Sequence, residues 1–223
     1  PRLQRAAKAL SADVLGLQEV DRGQPRSHGL DLVAEVGEGT GAAAWRFVPA
    51  LIGTPGGSWR AAHSGDEAVE PVAYGVGLVS AHPVLAWHVL RMAPARVRSP
   101  IVLPGSRQLI WLQDEPRVAV AAVIDGPFGV MTVASTHLSF VPVWNAIQLR
   151  RLTRWLRLLP APQVLLGDLN MPAFAAGPVS GWRVLGRRPT YPSPEPKVQL
   201  DHVLGAGSLP PVRAVEAPAL DVS

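Results

Sequence analysis

The fold of this chain is decided by the stretch Val164-Leu165-Leu166-Gly167-Asp168-Leu169-Asn170. Its three leading apolar residues predict a buried strand, and Gly167 permits a tight exit from that strand. Asp168 and Asn170 then follow, two positions apart. A carboxylate and a carboxamide in that place can hold a nucleophilic water and a phosphoryl oxygen side by side. Taken alone, the pattern is equally typical of a turn, because Asp and Asn are common turn formers.

Four further segments place polar residues within or directly after apolar, strand-like runs. They are residues 12–20 with Gln18-Glu19, residues 74–80, residues 135–139 with His137, and residues 199–204 with Asp201. In order and spacing, the five segments resemble the signatures of the endonuclease/exonuclease/phosphatase family, the DNase I-like metal-dependent phosphoesterases. The resemblance extends from about residue 3 to residue 223. Each motif alone is weak, whereas five in the same order form a specific pattern.

The composition indicates a globular chain. Its 223 residues are 48% hydrophobic and 17% charged, which suits a single domain over residues 1–223 with a substantial core. Nineteen of the 21 basic residues are Arg, which favours bidentate phosphate contact but is equally typical of a biased genome composition. The net charge of +4 is small for a nucleic-acid binder. The absence of cysteine excludes disulfides, zinc–thiolate sites and a thiol nucleophile.

No apolar run reaches the roughly 18 to 20 residues of a membrane span, because Asp125 interrupts the best candidate. We therefore expect no transmembrane segment, and we expect a monomer. The chain opens with Pro1, so a signal peptide upstream would not be visible in it. Its location stays open, with a slight preference for the cytoplasm.

The order of predicted elements indicates an α+β fold. Residues 3–10 and 144–159 have helical spacing, and these helices precede Gln18-Glu19 and Gly167-Asp168 respectively. Short strands joined by tight turns predict mostly antiparallel pairing. Two such sheets packed face to face, with helices outside, satisfy the pattern. The family resemblance implies the same four-layered αββα sandwich, with the site at one end of the sheets. Residues 53–70 and 93–113 are expected to be surface loops that border this site and set substrate choice.

Glu19 is the predicted metal ligand, because a carboxylate ending a buried strand is costly without a partner. Taken alone, Glu19 would more often be an exposed residue that begins a loop; Gln18 and the other motifs favour the metal ligand. The expected cation is Mg²⁺, with Mn²⁺ as the alternative. Asp168 would orient or deprotonate the attacking water. Asn170 would hold a phosphate oxygen or support the metal shell. His137 would stabilise the phosphoryl oxygens as a hydrogen-bond donor, although a lone His after a strand is more often structural.

Two more acids enter the predicted site through the resemblance. Glu115, in Asp114-Glu115-Pro116-Arg117, matches a family motif and is expected to pair with His137 and keep it protonated. Arg117 is expected to be structural. Asp201 matches the family's acid that orients a second catalytic His. His202 is not that His, because adjacent strand residues point to opposite faces.

Two family pieces are missing from the predicted pattern: a first strand bearing an Asn, and a final Ser-Asp-His. We expect the sandwich to lack its first and last strands, and the 223 residues alone to have little or no activity while their parent protein hydrolyses phosphoesters. The leading function is a divalent-metal-dependent phosphodiesterase or nuclease. The substrate could be nucleic acid, phospholipid or a small phosphoester. The alternative is a non-catalytic binding or scaffold protein on the same fold.

Overall fold

The computed structural model describes residues 2–102, 109–193 and 195–218. Its helices are α1 (Arg2–Leu10), α2 (Leu32–Thr40), α3 (Asp66–Val69), α4 (Trp144–Leu156) and α5 (Ala173–Ser180). Its strands are β1 (Val14–Arg22), β2 (Ala44–Gly53), β3 (Trp59–Ala61), β4 (Ala73–Ser80), β5 (Val84–Met92), β6 (Arg98–Val102), β7 (Leu109–Gln113), β8 (Arg117–Gly126), β9 (Gly129–His137), β10 (Gln163–Asp168), β11 (Arg183–Val184) and β12 (Asp201–Ala206). None of the helices in these ranges is long and apolar enough to cross a bilayer.

The strands form two main sheets and a separate hairpin. The first sheet has the order β1-β4-β2-β3, the second has the order β11-β12-β10-β9-β8-β5, and β6 pairs with β7. All described strand pairs are antiparallel except β9 and β10, which are parallel because α4 carries the chain back between them. The predicted dominance of antiparallel pairing is therefore confirmed.

Three apolar layers hold the sandwich together. Between the sheets, side chains such as Val76 and Leu78 of the first sheet pack against Val120 of the second. Helices α1 and α2 cover the outer face of the first sheet, and α4 and α5 cover the outer face of the second. In α4, Leu149, Leu152 and Leu156 are fully buried at helical spacing, while the arginines of the opposite face are exposed. The four-layered αββα architecture is confirmed.

The expected absence of the first strand concerns the edge of the first sheet. Within the described residues the first sheet has four strands against six in the second, and β1 pairs only with β4. Strand β1 is thus an edge strand of this sheet. Residues 219–223, on which the expectation about the C-terminal motif rests, lie outside the described residues.

Two segments expected to be loops contain regular structure. Residues 53–70 include β3, which pairs with the end of β2. They also include α3, whose first residue, Asp66, forms an ion pair with Arg60 at 2.7 Å. Residues 93–113 include the β6–β7 hairpin. The expectation that these segments lack regular structure was wrong because their elements are only three to five residues long, too short to show a clear hydrophobic period. Both segments do border an open cavity at one end of the sheets, as expected.

Gly167 allows the parallel contact between β10 and β9. A Cβ atom at this position would overlap the carbonyl oxygen of Thr136 on β9. Its backbone φ of +155° is also one that other residues rarely adopt. The glycine is therefore required by a close backbone approach as well as by the turn that follows it.

Gly167→Ala should lower the free energy of unfolding by about 3 kcal/mol, because the methyl group must push β9 and β10 apart. Urea unfolding measures the change. Gly126→Ala, in β8, is the matched control, since its Cβ would meet no atom closer than 3.7 Å. Equal, small effects of the two substitutions would contradict the role given to Gly167.

Candidate active site

The register of the second sheet brings three of the predicted site residues into one row. Asp168, the last residue of β10, lies directly beside His137 of β9 on one side and Asp201 of β12 on the other. The backbone N–H of Leu138 donates to the carbonyl oxygen of Asp168 at 2.9 Å, which extends the pairing one residue past the strand. His137 is buried and Asp201 is exposed. The predicted residues are thus neighbours at the end of the sheet.

Glu19 reaches the same place from the facing sheet. It lies in an irregularity of β1, between Leu17 and Val20, and has a φ of +55°. Its Oε1 is 3.8 Å from Nδ1 of His137. A bulge of this kind redirects a side chain at an active-site edge. The prediction that Glu19 ends a buried strand was wrong, because β1 continues to Arg22 and the Glu19 side chain is 64% exposed.

A polar contact holds the two sheets in register beside Glu19. Gln18 Nε2 donates to Oγ of Ser135 at 3.0 Å. Ser135 belongs to β9, two residues before His137, and is fully buried. Because a buried hydroxyl and amide need partners, this bond couples the position of Glu19 to that of His137.

Asn170 orients the imidazole ring of His137. Its Nδ2 donates to Nε2 of His137 at 3.1 Å and to the carbonyl oxygen of Leu138 at 3.0 Å, so both amide hydrogens are engaged. The carbonyl can only accept, which fixes the orientation of the Asn170 amide. No described residue donates to Asn170 Oδ1, which can therefore contact a cation. Of the two expected roles, the geometry favours support of the metal shell.

Burial sets the charge states of the central pair. Burial lowers the pKa of His137 to about 3, and the positive charge of Arg117 adds to this effect. Burial raises the pKa of Asp168 to about 7; the Asn170 N–H opposes this rise, and the charges of Asp201 and Glu19 increase it. His137 is therefore neutral at physiological pH. Since Nε2 accepts from Asn170, the ring proton lies on Nδ1, facing Glu19.

Glu115 does not pair with His137 among the described residues. The carboxylates nearest to the ring are Glu19, at 3.8 Å from Nδ1, and Asp168, at 3.7 Å from Nε2. Burial raises the pKa of Glu115, opposed by Arg117 and increased by the charge of Asp114. The expectation that Glu115 keeps His137 protonated is therefore not met. Glu115 lines the same cavity as a separate acidic group.

An open cavity of about 1010 Å³ lies over these residues. Its wall includes the aromatic side chains of Trp59, Tyr74 and Phe140, of which Tyr74 and Phe140 were not predicted to lie near the site. Burial raises the pKa of Tyr74, and the charges of Glu19 and Glu115 add to the rise. Tyr74, the second residue of β4, is paired with Asp21 of β1. Only this β1–β4 register, which the sequence does not reveal, places Tyr74 near Glu19.

The donors at this end of the sandwich suit a hard divalent cation. The carboxylates of Glu19 and Asp168 and the amide oxygen of Asn170 are the ligand types that Mg²⁺ and Mn²⁺ prefer. No three His, Asp or Glu side chains in the described part of the chain form a ready-made metal site. Mg²⁺ commonly binds one or two carboxylates and keeps several waters, so these donors match its usual mode of binding.

The free energy of unfolding of Glu19→Gly should exceed that of Glu19→Ala by about 1 kcal/mol, because only glycine adopts a positive φ without strain. Both variants remove the carboxylate, so the difference between them isolates the backbone. Urea unfolding in EDTA provides the measurement. Equal stabilities would show that the backbone at position 19 is not strained.

His137 and Asp168 should make opposite contributions to the pH dependence of stability. From pH 7 to 5 the unfolded chain protonates His137 near its ordinary pKa of 6.5, while the folded protein, with a pKa of about 3, does not. This favours unfolding by about 2 kcal/mol. The folded protein protonates Asp168 at a pKa of about 7, before the unfolded chain does at 3.8. This favours folding by about 2 kcal/mol.

Relative to the wild-type protein, His137→Gln should therefore gain stability between pH 7 and pH 5, and Asp168→Asn should lose it. The free energy of unfolding in urea, measured in EDTA at each pH, tests both signs. Parallel profiles for the wild type and the two variants would contradict the assigned charge states.

Comparison with known proteins places this geometry in a family. The sequence profile described as Endonuclease/Exonuclease/phosphatase family matches residues 2–223. The comparison with curated proteins finds no match. Solved structures share the fold at low identity, and three examples illustrate this.

An endonuclease/exonuclease/phosphatase from Bacteroides vulgatus has a TM-score of 0.59 at 14% identity, over 92% of this chain and 78% of its own. A mannosyl-6-phosphatase from Bacteroides thetaiotaomicron has a TM-score of 0.56 at 10% identity, over 93% of this chain and 77% of its own. Staphylococcus aureus beta toxin, solved with bound magnesium ions, has a TM-score of 0.54 at 14% identity, over 92% of this chain and 76% of its own. With the profile match across nearly its whole length, the chain belongs to the endonuclease/exonuclease/phosphatase family.

Proposed function

We propose that this protein is a phosphodiesterase or nuclease that hydrolyses its substrate with the help of Mg²⁺ or Mn²⁺. Members of the family are generally phosphoesterases. The observation that carries the proposal is the convergence of Glu19, His137 and Asp168, with 3.8 Å and 3.7 Å between their polar atoms, at the floor of one open cavity. The bound magnesium of beta toxin supports the choice of cation.

Asp168 would act as the general base. Its Oδ1 accepts the N–H of Asn170 at 2.8 Å, which fixes the carboxylate and leaves Oδ2 to face the cavity floor. A pKa of about 7 suits a base that must take a proton from water near neutral pH. The water would attack phosphorus while its proton passes to Oδ2 of Asp168. The bond from phosphorus to the leaving oxygen would break, and that oxygen would take a proton from solvent.

His137 would donate a hydrogen bond from Nδ1 to a phosphoryl oxygen. The ring is neutral, so it stabilises negative charge as a dipole and not as a cation. The 3.8 Å between Nδ1 and Glu19 exceeds a direct hydrogen bond and leaves this donor available. Asn170 holds the ring in the required orientation through Nε2.

Glu19, with Oδ1 of Asn170, would hold the divalent cation. When bound, the cation neutralises charge on the phosphoryl oxygens and stabilises the leaving oxygen. Arg117, a buried residue of the cavity wall, pairs with the buried Asp114 at 3.4 Å and would add positive charge on this side of the cavity. Asp201, next to Asp168 in the sheet, would keep the pKa of Asp168 high enough for the base role.

Turnover of bis(p-nitrophenyl) phosphate by the natural gene product that carries this sequence tests the proposal. EDTA should abolish turnover and Mg²⁺ or Mn²⁺ should restore it. Asp168→Asn should lower kcat by about 10² to 10⁴-fold, because the base is lost. Its melting temperature at pH 7 should not fall, because the raised pKa of Asp168 means that its charged carboxylate disfavours folding at that pH. Asp125→Asn, an exposed carboxylate at the β8–β9 turn, is the control and should keep full activity.

Full activity of Asp168→Asn, or turnover that EDTA leaves unchanged, would contradict the proposal. Absence of turnover on phosphodiesters, phosphomonoesters and phospholipids with either metal would favour the non-catalytic alternative on the same fold.

A further inference from the structure

Tyr74 places a phenol on the face of the first sheet that looks toward the second sheet. Along β4, Val76 and Leu78 pack in the core between the sheets, whereas Val79 packs with the outer helices. Since side chains alternate along a strand, Tyr74 shares the inner face with Val76 and Leu78. It lies at the end of this row and lines the active-site cavity. The first sheet therefore contributes a phenol to the cavity as well as a carboxylate.

The hydroxyl of Tyr74 forms no hydrogen bond with any described residue, although the side chain is half-buried. Tyrosine hydroxyls in such positions usually have a partner. Tyr74 and His137 line the active-site cavity together, and they also line a second cavity of about 10 Å³ between the sheets. The phenol and the imidazole therefore border the same space from opposite sheets, and the hydroxyl hydrogen is free for a ligand there.

The ring of Tyr74 is held in place by its neighbours. Its backbone pairs with Asp21 of β1, which is buried and accepts two hydrogen bonds from the Arg26 guanidinium, at 2.7 Å and 2.8 Å. Cζ of Arg26 lies 5.6 Å from the centre of the Tyr74 ring, within the range of a cation–π contact. Arg26 does not line the cavity, so its contact with the site passes through the ring. A ring fixed in this way loses little freedom when a ligand binds.

The surroundings of Tyr74 keep its proton on the oxygen. Burial raises the pKa of the phenol, and the charges of Glu19 and Glu115 raise it further. The hydroxyl therefore stays a hydrogen-bond donor at neutral and mildly alkaline pH. Like the neutral ring of His137, it offers a dipole to an anionic oxygen.

A phosphoryl oxygen is the ligand atom that suits this donor. The transition state of phosphate ester hydrolysis spreads negative charge over the non-bridging oxygens of phosphorus. His137 offers one neutral donor to those oxygens from the second sheet, and Tyr74 faces the same cavity from the first. The ionised carboxylates of the cavity can only accept, so a donor on this wall has to come from a side chain such as Tyr74.

We propose that Tyr74 is a further catalytic residue, whose hydroxyl donates a hydrogen bond to a non-bridging oxygen of the substrate phosphate. The phenol keeps its proton throughout, and the proton of the attacking water still passes to Asp168. His137 and Tyr74 then hold the phosphoryl group from opposite sheets. This inference rests on the proposed function for its catalytic part, whereas the contact between the phenol and a phosphate needs only the cavity.

Tyr74→Phe removes the hydroxyl and keeps the ring. With Mg²⁺ and bis(p-nitrophenyl) phosphate, kcat of the natural gene product should fall by about 10- to 100-fold, because a hydrogen bond to developing charge is lost. KM should change less than kcat. The melting temperature should not fall, because the hydroxyl has no protein partner among the described residues.

Tyr191→Phe is the matched control, because it removes the same atom from the same cavity wall. Tyr191 lies in the connection between β11 and β12, and its side chain is 42% exposed. Its hydroxyl is therefore solvated with or without substrate, and the substitution should leave kcat unchanged.

A binding measurement tests the contact without turnover. The 223 residues contain two tyrosines, so the spectra of Tyr74→Phe and Tyr191→Phe identify the NMR signal of Tyr74 in protein labelled with ¹³C at tyrosine Cζ. This signal should shift when inorganic phosphate and Mg²⁺ are added to the wild type, because the Cζ shift reports the hydrogen bond of the hydroxyl. Phosphate should bind about tenfold more weakly to Tyr74→Phe.

Several results would overturn the assignment of Tyr74. They are unchanged kcat in Tyr74→Phe, equal losses in Tyr74→Phe and Tyr191→Phe, a loss of kcat that accompanies a lower melting temperature, or a Tyr74 signal that phosphate leaves unmoved. Failure of the proposed function gives a different pattern: phosphate still shifts the Tyr74 signal, but the wild-type protein hydrolyses no phosphoester.

Discussion

The parallel pairing of β9 with β10 is the constraint on which the site depends. It sets Asp168 beside His137, although 30 residues separate them in the chain. The pairing requires a residue without a side chain at position 167, because the backbone of Thr136 occupies the space of a Cβ. It also requires α4, since a parallel connection needs a crossover. The apolar packing of α4 on the second sheet therefore contributes directly to the geometry of the acid and the imidazole.

Both sheets contribute residues to the site. Glu19 comes from the first sheet, whereas His137 and Asp168 come from the second, and the bond from Gln18 to Ser135 fixes the distance between them. Any sliding of one sheet over the other would separate the carboxylate of Glu19 from the ring. The inter-sheet core, with fully buried side chains such as Val120 and Leu78, resists such sliding through close packing.

The sequence predicted the parts of the site that follow from local pattern. An apolar run before Gly167-Asp168 identifies both a buried strand and its polar end, and the same holds for His137. Contacts that depend on irregular backbone could not be predicted. The positive φ of Glu19 arises from a bulge in β1, and nothing in the residues around it signals that β1 continues to Arg22. The expected pairing of Glu115 with His137 failed because a motif gives chain order, not the direction of a side chain.

Both amide hydrogens of Asn170 are used in hydrogen bonds, so the site is sensitive to a chemical change of this side chain. Aspartate is nearly the same size and would offer an oxygen to a cation equally well. Yet an oxygen in place of Nδ2 would face the carbonyl of Leu138 and the lone pair of His137, and both would repel it. Deamidation of this one side chain would therefore remove the donor to Nε2 and favour the other tautomer of the imidazole, with its proton on Nε2. Chemical ageing of a single amide nitrogen would thus change the hydrogen bonds of His137 while the sandwich around it stayed folded.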